Sequence, residues 1–185
     1  MTDLPAEIFV DDLVLRPVEI TSDLARELYE VFVTDAPNAR YFMPHSTYKS
    51  ADEVFASYSA RALNAGRAMM YGIFRADRLL GEIGFIDINL QDCTADVGYW
   101  LRGDARGAGV IGKCLGALQT VGFSRFDVLY ITCDVDNIGS RNVATRAGYT
   151  LDGVVRSKIL WPDGTRHDEC VYSKLKSEWE KETKK

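Results

Sequence analysis

Between residues 102 and 118 the chain reads RGDARGAGVIGKCLGAL, directly behind the apolar run Val97-Gly98-Tyr99-Trp100-Leu101. An extended segment must here give way, across Gly107, Gly109 and Gly112, to a helix carried forward by Ile111, Leu115, Ala117 and Leu118. A helix start that follows a strand and a glycine loop exposes backbone N–H groups with no intrahelical partner, at the positive end of the helix dipole. Such a start binds phosphate or pyrophosphate. Glycine serves because a Cβ would hold a bulky anion off the amides, and because these loops often need positive φ. The plainer alternative is a loop that merely turns; its place between strand and helix favours the anion site.

Two phosphate-binding patterns compete for the segment. Gly107 to Cys114 nearly matches the P-loop GxxxxGK[ST], but cysteine stands where the Mg²⁺-binding hydroxyl belongs, and a neutral thiol is a poor ligand for so hard an ion. The segment also lies past the chain's midpoint, and Asp134 at the end of the next strand is a weak metal-binding candidate. The other pattern is the pyrophosphate loop of acetyl-CoA-dependent acyltransferases, Arg/Gln-x-x-Gly-x-Gly/Ala. Arg106-Gly107-Ala108-Gly109-Val110-Ile111 fits it except at the last position.

The flanks separate the two. Together with Asp136-Asn137-Ile138-Gly139-Ser140-Arg141-Asn142 and Arg146-Ala147-Gly148-Tyr149, the segment resembles the GNAT superfamily of N-acetyltransferases, and within it the ribosomal-protein N-terminal acetyltransferases of RimJ/RimL type. The resemblance runs from about Leu13 to Tyr172, with the N-terminal third the least specific part. It implies a mixed α/β (α+β-like) fold: one domain over residues 1–185 with its core at about 13–175. In that fold a mostly antiparallel sheet is flanked by helices, and acetyl-CoA lies where two parallel strands splay apart.

Composition removes other classes. The net charge is −5, with 27 acidic and 22 basic residues and no basic stripe, which argues against a nucleic-acid partner. Apolar content of 46% is that of a globular chain, and no apolar run approaches membrane-spanning length. The four cysteines form no CxxC pair, and His45 and His167 stand far apart, so no zinc-site spacing exists. The start Met1-Thr-Asp-Leu-Pro lacks the basic and apolar regions of a signal peptide. The expectation is a cytoplasmic monomer or homodimer with no metal and no membrane partner.

Along the chain, Leu13, Leu15 and Val18 alternate as an opening strand, and Thr21-Ser22-Asp23 caps a helix faced by Leu24, Leu28, Val31 and Phe32. Residues 34–49 read as irregular. Ser50 and Glu53 have capping-box spacing and start a helix bearing Val54, Tyr58 and Ala62, with Gly66 as its stop. Strands follow at 69–74, 79–89 and 95–101, then the glycine-loop helix to about Phe123 and a strand at 128–135. Ser140 is expected to cap a short helix, Pro162-Asp163-Gly164-Thr165 to turn a closing hairpin, and the charged tail 176–185 to fray.

The resemblance also assigns roles. The backbone from Arg106 through Gly107, Ala108, Gly109, Val110 and Ile111 to Gly112 would hold pyrophosphate, with Arg106 adding charge at the rim. Lys113 could reach a phosphate or be an ordinary exposed helix lysine. Tyr99, Trp100 and Leu101 on one splayed strand would line the pantetheine arm, and Asn137 would bind it, or else serve as a turn asparagine. Ser140 would help protonate the departing CoA thiolate, and N-capping alone would equally explain a serine there. Some family members carry a glutamate general base where this chain has Ile159, so that role is not carried over. Glu82 and Asp96, on strands expected to line the cleft, are the substitutes, each also readable as an ordinary solvated carboxylate. Asp168 and Glu169 are weaker candidates. An α-amine titrates near ~8 and a lysine amine near ~10.4, so a missing base is tolerable for the first acceptor and costly for the second. The expected acceptor is therefore an α-amine, on a protein N-terminus or a small molecule such as an aminoacyl nucleotide. Tyr41, Phe42, Phe55 and Trp161 would form its pocket or belong to the core. A P-loop nucleotide binder and a non-catalytic CoA-binding module are the rivals from other classes.

Overall fold

The computed structural model describes residues 5–42, 48–63 and 68–184, the side chains of Phe42 and residues 61–63 excepted. In chain order the elements are β1 (Ile8–Val10), β2 (Leu13–Arg16), α1 (Ser22–Thr34), α2 (Ala36–Phe42), α3 (Ala51–Leu63), β3 (Met69–Arg75), β4 (Arg78–Asn89) and β5 (Thr94–Leu101). There follow α4 (Val110–Gly122), β6 (Val128–Asp134), α5 (Ile138–Arg146), β7 (Thr150–Leu160), β8 (Arg166–Leu175) and α6 (Lys176–Thr183). The strands form one sheet in the order β1-β2-β3-β4-β5-β6-β8-β7. Only β5 and β6 run parallel; the remaining described pairs are antiparallel. The mixed, mostly antiparallel sheet flanked by helices is the expected architecture.

Two apolar clusters hold the helices to the sheet. Ile111, Cys114, Leu115 and Leu118 of α4 join Ile83, Phe85, Ala95, Val97, Leu129 and Ile131 in the larger one. Ala25, Leu28 and Phe32 of α1 meet Val54 and Tyr58 of α3, with Phe74, Leu79 and Trp100, in the smaller. Helix starts follow the expected chemistry: Thr21 Oγ1 accepts from Leu24 N at 3.2 Å, and Ser50 Oγ accepts from Glu53 N at 3.3 Å. Gly66 lies outside the described residues. No described helix is long and apolar enough to cross a membrane.

Four expectations are corrected. The opening strand ends at Arg16, before Val18, and β1 precedes it as an antiparallel partner. The irregular stretch 34–49 contains α2, whose second residue is Pro37, a first-turn position where a missing N–H does no harm. Ser140 does not cap α5: Asn137 does, its Oδ1 accepting from Ser140 N at 3.1 Å. The tail does not fray through its length but forms α6. Trp179 there stacks on Phe123 at 5.5 Å, and Glu182 pairs at 2.6 Å with Lys174, itself only 1% exposed.

Candidate active site

The β5–β6 ladder is short. It pairs Thr94 with Val128, Ala95 with Leu129 and Asp96 with Tyr130, and then stops. Beyond those rungs two adjoining cavities open between the strands. One of about 570 Å³ is lined by Tyr99–Leu101, the glycine loop and the start of α5. The other, about 310 Å³, is lined by Val97, Gly98, Ile131–Asp134, Lys158, Ile159 and Glu169. Tyr41, Tyr99, Asn137 and Ser140 line both, so they stand at the junction.

The loop has the conformation its glycines suggest. Gly107 and Gly109 sit at φ +78° and +72°, and Gly109 occupies the N-cap of α4. The first helical bond runs from Lys113 N to Gly109 O, leaving the first-turn amides pointing out of the helix with no helical acceptor. Gly107, Gly109, Val110, Ile111 and Gly112 all line the larger cavity. Ala108, in the same loop, is exposed and is not among the lining residues. Arg106 is a brace rather than a free rim charge: its guanidinium donates to Leu101 O at 2.7 and 3.1 Å and pairs with Asp35. Lys113 is held by Asp11 at 2.7 Å, and Cys114 is fully buried, its thiol pushed up to about 12 by burial. Neither residue is placed as a P-loop requires.

At the junction Tyr99 Oη and Ser140 Oγ are 2.8 Å apart. Burial raises the Tyr99 phenol well above its ordinary value, so both hydroxyls keep their protons at neutral pH. Cys133 lies beside them, raised to about 11 by burial and partly offset by the Ser140 hydroxyl. A pair of neutral hydroxyls can hand a proton to a developing thiolate.

The expected substitute bases fare differently. Glu82 is 2% exposed, lines neither cavity and accepts from Tyr58 Oη and Trp100 Nε1, each at 2.7 Å. It is a buried strut between α3 and β5, neither solvated nor in the cleft. Asp96 occupies the last ladder rung, outside both linings; burial, then Asp87 and Glu169, raise its carboxyl to about 6. Asp168 accepts from Ser157 N at 2.8 Å. Glu169 does reach the smaller cavity, and burial raises it.

Of the aromatic candidates, Tyr41 lines both cavities. Trp161 is 7% exposed and stands behind Tyr41, edge-on at 5.8 Å, with the Arg40 guanidinium over its ring. Phe55 points away, 39% exposed on α3 and lining neither cavity. Tyr58 is core, the Phe42 side chain lies outside the described residues, and Met43 and Pro44 do too.

Sequence reading missed Asp134 as a cavity residue, and it missed His167 altogether except to dismiss it as a zinc ligand. Asp134, Asp136 and His167 bring donor atoms within 4.8 Å of one another. The shortest contact, His167 Nδ1 to Asp134 Oδ2 at 3.1 Å, has the length of a hydrogen bond, with Asp136 Oδ2 at 3.8 Å alongside. The trio is thus an imidazole–carboxylate pair flanked by a second carboxylate. Only the β6–β8–β7 register could have revealed it.

Known proteins also match the chain. Residues 12–150 match a family model described as Acetyltransferase (GNAT) domain. A ribosomal-protein-serine acetyltransferase of Escherichia coli (strain K12) is 40% identical over 115 residues, 60% of this chain and 62% of that relative. The match thus spans less than two thirds of the relative's length. Among solved structures, RimL, a ribosomal L7/L12 alpha-N-protein acetyltransferase in its apo form, superposes with a TM-score of 0.80 at 26% identity, covering 91% of this chain and 93% of that one. The microcin C7 self-immunity acetyltransferase MccE, in complex with acetyl-CoA and AMP, gives 0.76 at 25% identity, covering 89% and 93%.

Proposed function

This chain belongs to the GNAT acetyltransferase family, and from that premise we propose that it transfers acetyl from acetyl-CoA to the α-amino group of a protein N-terminus. The observation that carries the reading is one continuous cleft, with an anion-binding helix start at one end and the Tyr99–Ser140 hydroxyl pair where the two cavities meet. The free first-turn amides of α4 hold the pyrophosphate, with Arg106 bracing the loop behind them. The unpaired edges of β5 and β6 beyond Asp96 and Tyr130 offer backbone groups to the amides of the pantetheine arm. That arm leads the thioester to Ser140. As the C–N bond forms and the C–S bond breaks, the hydroxyl pair gives sulfur its proton.

An α-amine acceptor fits the smaller cavity. Asp134 and Glu169 make it acidic, which draws an ammonium group in, and no lysine-length tunnel is required. A ribosomal acceptor is supported by the names of the E. coli relative and of RimL. A second reading, acetylation of an aminoacyl nucleotide or similar small α-amine, draws support from the Tyr41–Trp161 aromatic wall and from the likeness to MccE.

Calorimetric titration with acetyl-CoA, followed by turnover on N-terminal peptides of ribosomal proteins, aminoacyl adenylate analogues, spermidine and free lysine, tests both. Acetyl-CoA binding with preferred turnover of peptide α-amines is the expected result. Preference for adenylate analogues selects the second reading. Preference for spermidine or lysine, or binding of ATP-Mg²⁺ in place of acetyl-CoA, overturns the proposal.

A further inference from the structure

Ile159 supplies no base, so the amine's proton must go elsewhere: Glu82 is occupied by Tyr58 and Trp100, Asp168 by Ser157 N, Asp96 lies outside the cleft, and of these carboxylates only Glu169, beside Lys158, reaches the acceptor cavity. Resting on the acetyl-transfer reading above, we propose that His167, oriented by Asp134, is the general base that takes this proton. The β7–β8 register sets Ile159 directly opposite His167. Side chains so paired share one face of the sheet, their Cβ atoms about 5 Å apart. Ile159 lines the acceptor cavity, as do Asp134 and Glu169 on the neighbouring rung. His167 itself lines neither cavity; it stands beside Ile159 at the margin of the acceptor cavity, on the strand adjoining the one that does not provide the group.

The imidazole is fixed on two sides. Its ring stacks on Trp161 at 3.7 Å and 12°, and its Nδ1 meets Asp134 Oδ2 at 3.1 Å. Asp134 is 3% exposed, and its Oδ1 already accepts from Asp136 N at 2.8 Å. Among the described residues Oδ2 has no hydrogen-bond partner, and the imidazole Nδ1 stands 3.1 Å from it. A buried carboxylate oxygen left without a donor is costly, so Nδ1 carries its hydrogen toward Asp134. Nε2 is then the free acceptor, which is the tautomer a base needs. Asp134 is the positioning residue of this pair.

In the step itself the amine nitrogen bonds to the thioester carbonyl carbon and the C–S bond breaks. The nitrogen's proton passes to His167 Nε2, and sulfur takes one from the Tyr99–Ser140 pair. His167 then releases its proton to solvent, and the hydroxyl pair regains one. The charged groups that surround the ring are Asp134 and Asp136 at the end of β6, Asp163 in the β7–β8 turn, Arg40 behind Trp161, Lys158 on β7 and Glu169 on β8 itself.

The test compares wild type, His167→Gln and Asp134→Asn in acetyl-CoA titration, thermal melts and kcat against pH on an α-amine peptide. His167→Gln is expected to keep acetyl-CoA affinity and melting temperature, lose about 10²-fold in kcat and lose the acid limb of the profile. Asp134→Asn should lower kcat by about tenfold without weakening acetyl-CoA, and added imidazole should restore part of the turnover of His167→Gly. Turnover of His167→Gln within about twofold of wild type, with the acid limb intact, overturns this inference and leaves the acetyl-transfer reading standing. Should His167→Gln melt early, failure of imidazole rescue together with normal turnover of Asp134→Asn overturns it. A wild-type chain that binds acetyl-CoA and acetylates no amine overturns both.

Discussion

At Ser140 the hydroxyl is not consumed by the helix start, because Asn137 supplies the cap and Ser140 gives only its backbone N–H to it. Capping, which a serine at this point in the sequence could combine with the proton donation proposed for Ser140, thereby falls to Asn137. Ser140→Ala should lower kcat by about 10²-fold with acetyl-CoA affinity and melting temperature nearly unchanged. Asn137→Ala should instead lower stability by about 1 kcal/mol, read as a melting shift, because it leaves a helix-start amide unpaired. Kinetics and thermal melts on both variants check the division; a melting loss in Ser140→Ala with normal turnover would return the cap to the serine. Trp100 is a second case of divided duty: the residue lines the larger cavity while its indole packs on Phe32 and its Nε1 donates to Glu82. Its hydrophobic pattern was legible, but the bond that ties down the one suspected base on β4 spans 18 positions of sequence.

The strand, glycine loop and helix from β5 to α4 were legible because every local signal agrees: an apolar run, residues that accept positive φ, then helical periodicity. The positive φ at Gly109 carries a consequence for mutation. A valine there meets open space yet must adopt a left-handed conformation, so Gly109→Val should destabilise the fold by about 1–2 kcal/mol while abolishing acetyl-CoA binding. Denaturant melts and calorimetry on the variant measure the two effects; normal acetyl-CoA affinity would refute the pyrophosphate assignment. Elements whose stability comes from elsewhere in the chain were not legible. α2 has seven residues with a proline in its first turn, too short for any period to register. The sequence of α6 is mostly charge, and what orders it is Phe123 under Trp179 and Lys174 beside Glu182.

Across the whole molecule, the sheet brings Asp87 of β4 and Glu169 of β8 close enough to Asp96 of β5 to act on its charge, and stability depends on pH through it. The Asp96 carboxyl lies near 6 in the folded state against 3.8 in the ordinary one, so folding favours its protonated form. The resulting penalty is absent below about 4, grows between 4 and 6 and is complete above 6. Asp96→Asn should therefore stabilise the protein at pH 7.5 by about 1 kcal/mol, screening by solvent included, and have little effect at pH 4. Melting curves of both proteins across that range would show the gap opening as pH rises, and a constant gap would contradict it. By itself the sequence determined the order of most elements, the sheet-and-helix class and the glycine loop that opens α4, since these rest on propensity, periodicity and glycine, all local properties of the chain. Only the tertiary structure decided which side chains share the cleft. Side-chain neighbours on a sheet follow from strand order and register: the β6–β8–β7 pairing sets His167 across from Ile159 and carries Asp134 to within 3.1 Å of its ring, and no spacing along the chain encodes a contact made between β6 and β8.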